Sequence, residues 1–242
     1  MLPGVTDLPI RPGDVVAADL EGTLTDGETW RGVGRWLATH GRSRSYRLFL
    51  APRLAAMPLV RAGLIPRQPF RDRWIRDLAG QLAGRSTAEL DEIAAWVVDE
   101  ELWPGRREPL LEELVEARVA GARVVVVSGT YDPVLRLFAE RIGAEYVGTP
   151  LEVADGTFTG RLAGPVNTGP RKIDRLARLI GTASVARAYG DSIADAPLLR
   201  AAAQAVAVTP DAALLRMARS RRWRILDAAA AGAVSKRPVR GA

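Results

Sequence analysis

The sequence predicts an α/β protein, a parallel sheet covered by helices on both faces, with a helical segment inserted after the first strand. Three observations carry this reading. Short apolar runs recur at residues 15–18, 123–127, 185–189 and, more weakly, 205–208. Between them lie segments whose apolar residues fall three and four apart, the spacing of one helix face. The first three runs end in polar residues, at Asp19, Ser128 and Gly190-Asp191. In open α/β sheets the ligand sits beyond the carboxyl ends of the strands.

Taken in order, residues 15–18 are apolar throughout, as suits a strand buried on both faces. Residues 29–103 hold no convincing strand and show helical patterning. A capping box, Ser86-Thr87-Ala88-Glu89, precedes a helix over 90–98. We read 29–103 as a helical cap domain inserted into a core made of 1–28 and 104–242. Leu110, Leu111, Leu114 and Val115 mark a helix over 110–119. The strand at 123–127 leads into a helix over 134–142. Residues 151–162 alternate on either side of Asp155-Gly156, a hairpin signal. A helix over 173–180 precedes the strand at 185–189. Helices over 196–201 and 211–218 flank the last run. The tail from Ala228 is small, basic and proline-containing, and reads as a fraying end.

Composition narrows the chemistry. A chain of 242 residues that is 48% hydrophobic can bury a core without covalent staples. It has no cysteine and a single histidine, His40. Thiolate nucleophiles, disulfides and multi-histidine metal sites are thereby excluded, leaving carboxylates, hydroxyls, lysine and a hard cation. The net charge is +6, and of 34 basic residues only Lys172 and Lys236 are lysine. A basic surface suits anionic partners. Aromatic residues are not interleaved with a basic stripe, so no nucleic-acid partner is expected. The first residues, MLPGVTDLPIRPGD, show neither a long apolar run nor a basic leader. With no stretch approaching the ~18 apolar residues of a membrane span, the expected location is the cytoplasm.

The segment Asp19-Leu20-Glu21-Gly22-Thr23-Leu24-Thr25 places two acids two residues apart at a strand end. They point the same way if strand geometry persists. Asp19 can act as nucleophile and as ligand to magnesium, which takes hard oxygen donors. Glu21 can protonate a leaving oxygen and later activate water. Ser128, Gly129 and Thr130 offer hydroxyl and N–H groups for phosphate oxygens at a helix N-terminus. Lys172 can neutralise a phosphoryl oxygen together with Asp19. Asp191 can complete a magnesium site, with Asp195 as an orienting group, an alternate ligand or a helix-start acid.

These segments, in order and spacing, resemble the haloacid dehalogenase superfamily of phosphatases, whose core is Rossmann-like. DLEGTLT is similar to its first motif, the end of VVVVSGT to its second, Lys172 to its third and GDSIAD to its fourth. VSGTYDPVL, the hairpin and YGDSIADAPLL resemble the phosphoserine-phosphatase-like branch, with its helical cap after the first motif. The resemblance implies Asp19 as nucleophile, Glu21 as acid and base, Ser128 and Lys172 as phosphate ligands, and magnesium held by Asp19, the Glu21 carbonyl and Asp191. The family usually carries aspartate where this chain has Glu21, whose extra methylene reaches about 1.5 Å further.

The resemblance also implies a substrate. Glu28 lies nine residues after Asp19, where phosphoserine phosphatases contact the amino-acid part of their substrate. Cap arginines meet its carboxylate in that branch, and Arg73 and Arg76 are the candidates here. A small phosphorylated substrate, phosphoserine first, is expected. Alternatives are phosphotransfer to a small hydroxylic acceptor, a phosphatidylglycerophosphate-type phospholipid suited to the apolar, arginine-studded residues 46–65, and, remotely, a non-catalytic phosphate-binding module. Contact with a membrane surface is not the leading expectation. The oligomeric state is left open.

Overall fold

The computed structural model describes residues 9–41 and 43–227, and the tail from Ala228 lies outside the described residues. Strand β1 (Val15–Ala18) is followed by helices α1 (Thr29–Thr39), α2 (Ser43–Arg61), α3 (Arg67–Gly80) and α4 (Thr87–Val97). Helix α4 runs into a π turn, Val98–Leu102, and then α5 (Glu108–Val119) leads to β2 (Arg123–Tyr131). Next come α6 (Asp132–Arg141), β3 (Glu145–Thr149) and the hairpin β4 (Leu151–Ala154) with β5 (Thr157–Leu162). The chain closes with α7 (Pro170–Ile180), β6 (Val185–Gly190), α8 (Ala196–Ala201), β7 (Gln204–Val208), α9 (Ala212–Arg221) and β8 (Arg224–Leu226).

Six strands form one sheet in the order β3-β2-β1-β6-β7-β8, and each neighbouring pair is parallel. The chain enters in the middle, builds outward through β2 and β3, then returns to the other side of β1 with β6. Strand order therefore reverses beside β1, where α/β sheets bind their ligands. The two-residue period of the strands sorts the core into two layers. Val16, Ala18, Val124 and Val126 face α5 and α6, while Val15, Ala17, Val125 and Val127 face α7, α8 and α9. On the first side, Val33 and Leu37 of α1 and Ile93 and Val97 of α4 join the same apolar cluster. Leu114, 2% exposed, lies within it. Truncation of such a side chain to alanine costs ~2–5 kcal/mol.

The α4 start is capped as its sequence indicates. Ser86 Oγ accepts from Glu89 N at 3.2 Å, and a Glu89 carboxylate oxygen accepts from Ser86 N at 2.9 Å. In the hairpin, Asp155 and Gly156 both take positive φ, 49° and 73°. That matches the twist of the strands. The hairpin also ties down the α3–α4 connection, since Phe158 N donates to Arg85 O and Gly84 N to Phe158 O at 2.7 and 2.9 Å. No helix among the described residues is long and apolar enough to cross a membrane.

Two parts of the sheet differ from the sequence reading. Strands β3 and β8 were not anticipated, because Glu145–Thr149 carries no apolar run and Arg224–Leu226 is very short; both lie at sheet edges. Strand β2 also continues past Val127 through Ser128 to Tyr131, so α6 begins only at Asp132. Ser128, Gly129 and Thr130 thus lie in the strand rather than at the helix N-terminus. Side chains distant in sequence, from the end of β3 and the loop before α7, hold them there. Thr149 Oγ1 donates to Gly129 O at 2.8 Å, and Asn167 Nδ2 donates to Ser128 O at 3.2 Å.

Candidate active site

Asp19 follows the last residue of β1 and is 1% exposed. Beyond it the backbone curls tightly, with Thr23, Leu24 and Thr25 all donating their N–H to Leu20 O, at 3.2, 2.8 and 3.1 Å. Gly22 sits at φ +84°, and a Cβ there would come 2.2 Å from Asp191 Oδ2. Only glycine takes both that conformation and that approach cheaply. Arg107 secures the curl from outside, its Nη1 donating to Gly22 O at 2.6 Å and Thr23 O at 2.7 Å. Nothing in the sequence singles out Arg107 among so many arginines.

Lys172 lies in the first turn of α7 and is 2% exposed. Its Nζ donates to Asp19 Oδ1 and, at 2.6 Å, to Asp195 Oδ1. The other Asp195 oxygen accepts from Ser192 N at 3.1 Å and Ser192 Oγ at 2.9 Å. Asp195 is therefore already engaged on both oxygens. Asp191 is less engaged, with Thr23 Oγ1 donating to it at 3.5 Å. One oxygen from each of Asp19, Asp191 and Asp195 falls within 4.8 Å of the others.

Charge in this cluster is out of balance. Burial lifts the Asp191 carboxyl to about 8, and Asp19 and Asp195 push it the same way. Burial likewise lifts Asp19 to about 6 although Lys172 pulls it down. Asp195 is also buried, yet Lys172 outweighs that and holds it below the ordinary carboxylate range. Burial would depress Lys172, but Asp19 and Asp195 keep its pKa raised. A hard divalent cation fits this donor set: it is all oxygen, it lacks sulfur and imidazole, and it is short of positive charge. The contact between Gly22 and Asp191 leaves room for the carboxylate beside the Asp19 loop that a larger residue would take.

Around this centre the sequence-predicted residues distribute unevenly. Glu21 Oε1 accepts from Thr29 N at 2.6 Å, at the start of α1. Glu28 is half-buried and accepts from the Trp30 indole. It makes no side-chain cap to its own helix. Burial raises its pKa, and Glu21 adds to the rise. Ser128 Oγ donates to Thr130 Oγ1 at 3.2 Å, and Thr130 Oγ1 lies 3.4 Å from Thr29 Oγ1. Arg73 and Arg76 do not share this neighbourhood. Both are exposed, and Arg73 lies 3.7 Å from Asp77 one turn along α3.

Arg71, which the sequence reading passed over, interacts with the site instead. Arg71 is half-buried, and desolvation would lower its pKa, but Asp19, Glu21, Asp195 and Asp191 raise it. Gln68, Arg71, Asp72 and Ile75 form one stripe at i, i+3, i+4 and i+7. Gln68 Nε2 donates to Thr168 Oγ1, Thr168 Oγ1 donates to Asp72 Oδ1 at 2.8 Å, and the Ile75 carbonyl oxygen accepts from the Tyr131 hydroxyl. The stripe faces the core but is mostly polar, so a search for apolar periodicity does not reveal it.

Comparison with known proteins gives the family. The profile of the haloacid dehalogenase-like hydrolases matches residues 16–200. Phosphoserine phosphatase SerB1 of Mycobacterium tuberculosis is 35% identical over 156 residues, covering 60% of this chain and 49% of that protein. The chain thus spans about half the length of that relative. A histidinol-phosphatase of Neisseria meningitidis is 32% identical over 169 residues, 64% of this chain and 74% of its own. Among solved structures, a Bordetella pertussis protein of unknown function superposes with a TM-score of 0.76 at 23% identity, covering 91% of this chain and all of that one. It shares the fold. The matched segment runs from β1 into α8 and contains Asp19, Lys172, Asp191 and Asp195, and on this evidence the chain belongs to the haloacid dehalogenase-like hydrolases.

Proposed function

We propose that this protein hydrolyses a small phosphate monoester through an aspartyl-phosphate on Asp19, with α1–α4 as the cap over the site. The observation that carries this reading is the buried contact of Lys172 with Asp19 at a strand end beside the reversal of strand order. A carboxylate paired this way keeps its nucleophilic oxygen pair in place and excludes bulk water.

In the first step an Asp19 oxygen bonds to phosphorus, the ester P–O bond breaks, and Glu21 gives its proton to the departing oxygen. In the second, Glu21 takes a proton from water, the water oxygen bonds to phosphorus, and the Asp19–phosphorus bond breaks to release phosphate. Lys172 and Ser128 bind the phosphoryl oxygens. Asp19 and Asp191, with the Glu21 carbonyl, would hold magnesium, which supplies charge neutralisation at the phosphoryl group when bound. Asp195 orients Lys172.

Substrate choice follows from the carboxylates beyond the phosphate subsite. Burial and the neighbouring Glu21 raise the Glu28 pKa although Arg31 and Arg71 pull it down, which favours a substrate ammonium beside Glu28 and disfavours a further anion there. Phosphoserine and histidinol phosphate, the substrates named for the two curated relatives, both carry an ammonium on the carbon next to the ester methylene. Arg71 suits a carboxylate on that same carbon, which favours phosphoserine. Phosphate release from phosphoserine, histidinol phosphate and a plain aryl phosphate tests the reading. Glu28→Gln should raise KM for both amino esters by ~1.5–3 kcal/mol and leave the aryl ester nearly unchanged. Arg71→Ala should weaken phosphoserine more than histidinol phosphate, while Arg73→Ala changes neither. Equal effects of Glu28→Gln on all three esters would remove the ammonium subsite.

Metal dependence should show in stability as well as turnover. Because the folded pKa of Asp191 is raised to about 8 from 3.8, the metal-free native state holds a proton that the unfolded chain releases. That contribution is fully present below the unfolded value and is lost as pH rises through about 8. Magnesium, by favouring the ionised form, should raise the melting temperature far more near pH 8 than below about pH 6. A thermal-shift series with magnesium and with chelator measures this. A magnesium effect independent of pH would show that Asp191 is not the coupled ligand.

A further inference from the structure

Helix α2 packs on the protein along one side. Tyr46, Phe49 and Val60 are buried, and the inner face adds an ion pair between Arg53 and Asp77. The outer face has an unusual composition. Leu48, Leu54 and Leu59 are 77%, 48% and 46% exposed, and they share the surface with exposed Arg44, Arg47 and Arg61. The other exposed positions of the helix are alanine, proline and one serine, and α2 contains no acid at all. Leu64, 73% exposed, extends the patch into the turn before α3.

An ordinary solvent-facing helix side mixes acids with bases and amides, because that keeps it soluble and satisfies i,i+4 pairing. A face on which leucine and arginine are the only large side chains and no acid appears instead matches a boundary that is apolar inside and negative at its surface. Arginine stems lie along the apolar layer while their charged ends reach the headgroups. Beside this face, α2 and α3 flank an open cavity of about 500 Å³, lined by Pro52, Phe70 and Trp74 and by the charged Arg53, Arg73 and Asp77.

We propose that the outer face of α2, with the turn at Leu64, docks peripherally on an anionic phospholipid bilayer. The leucines enter the interfacial layer and Arg44, Arg47 and Arg61 meet the lipid phosphates. The inference is independent of which ester is hydrolysed, since none of these residues belongs to the site built around Asp19.

Flotation of the full-length protein with vesicles tests it. Vesicles of phosphatidylglycerol with phosphatidylcholine should carry the protein at low salt, and phosphatidylcholine alone should carry much less. L48E/L59E should reduce flotation at least about tenfold, because it removes apolar contact and adds like charge. R44Q/R61Q should remove most of the preference for anionic vesicles. Both variants should keep wild-type turnover of a soluble aryl phosphate, which reports that the fold is intact. Failure of the wild type to float with anionic vesicles overturns the proposal, as does undiminished flotation of either variant. A concentration-dependent dimer that L48E/L59E dissolves would also overturn it, by assigning the face to a second copy of the chain.

Discussion

Asp19→Asn is expected to abolish phosphate release, on the order of 10⁴-fold or more, while leaving the protein folded. Asparagine keeps the shape of the side chain and an oxygen for Lys172, so the buried contact survives in geometry. An amide is a poor nucleophile and its acyl-phosphate cannot form by the same displacement. Stability sharpens the prediction. In the metal-free protein Asp19, Asp191 and Asp195 crowd together, and the first two are pushed up to about 6 and about 8. Removing one negative charge should leave the substituted protein no less stable than wild type without metal, and its advantage should grow as pH rises through that range. Turnover and denaturant midpoints across pH measure both halves. Rapid-quench labelling should also yield a phosphorylated peptide containing Asp19 in wild type and none in the variant. Appreciable turnover by pure Asp19→Asn would end the covalent mechanism.

Lys172→Met is expected to cost both activity and stability. Its ammonium is the donor shared by Asp19 and Asp195, and both carboxylates are 1% exposed. Methionine fills similar volume without charge, so the two carboxylates lose their direct cation. Breaking a buried pair from one side typically costs ~3–5 kcal/mol. Loss of a preorganised charge on the phosphoryl group typically costs ~10²–10³ in rate. The pH dependence separates charge from shape. In wild type the depressed pKa of Asp195 contributes stability above the unfolded value of 3.8, lost as pH falls through the folded value. In the variant that carboxyl loses its main stabilising partner and its pKa moves upward. The deficit relative to wild type should therefore be largest at neutral and alkaline pH and shrink in acid. Urea midpoints for the two proteins across pH would reveal a constant deficit if packing alone were responsible.

The sequence made some of these positions plain for physical reasons. Asp19 and Asp191 are recognisable because an apolar strand that stops in an acid has no core reason to do so. Lys172 stands out because the chain otherwise writes positive charge as arginine. Asp155-Gly156 and Ser86-Thr87-Ala88-Glu89 are local devices whose chemistry is complete within a few residues, and the structure carries both. Arg71 was hidden by the same composition that exposed Lys172. Choosing it over Arg73 and Arg76 requires the rotational phase of α3, and in the half of α3 that holds Arg71 the inward positions Gln68 and Asp72 are polar and meet Thr168. Edge strand β3 was hidden because its pairing with Val125–Val127 needs no apolar run of its own. The continuation of β2 through Ser128 depends on Thr149 and Asn167, which are distant in sequence.

The isolation of Lys172 has a practical consequence. Guanidinium groups do not react with amine-selective acylating reagents at neutral pH, so of the 34 basic residues in this sequence only Lys172 and Lys236 are open to such reagents. Lys172 is 2% exposed and held between two carboxylates. Its acylation therefore needs an opening that admits the reagent and a moment of proton loss. Peptide-resolved mass spectrometry of acylation at Lys172 against time, normalised to an added lysine-containing peptide, would turn this side chain into a clock for how often the buried centre opens. A slowly released phosphate analogue should stop the clock.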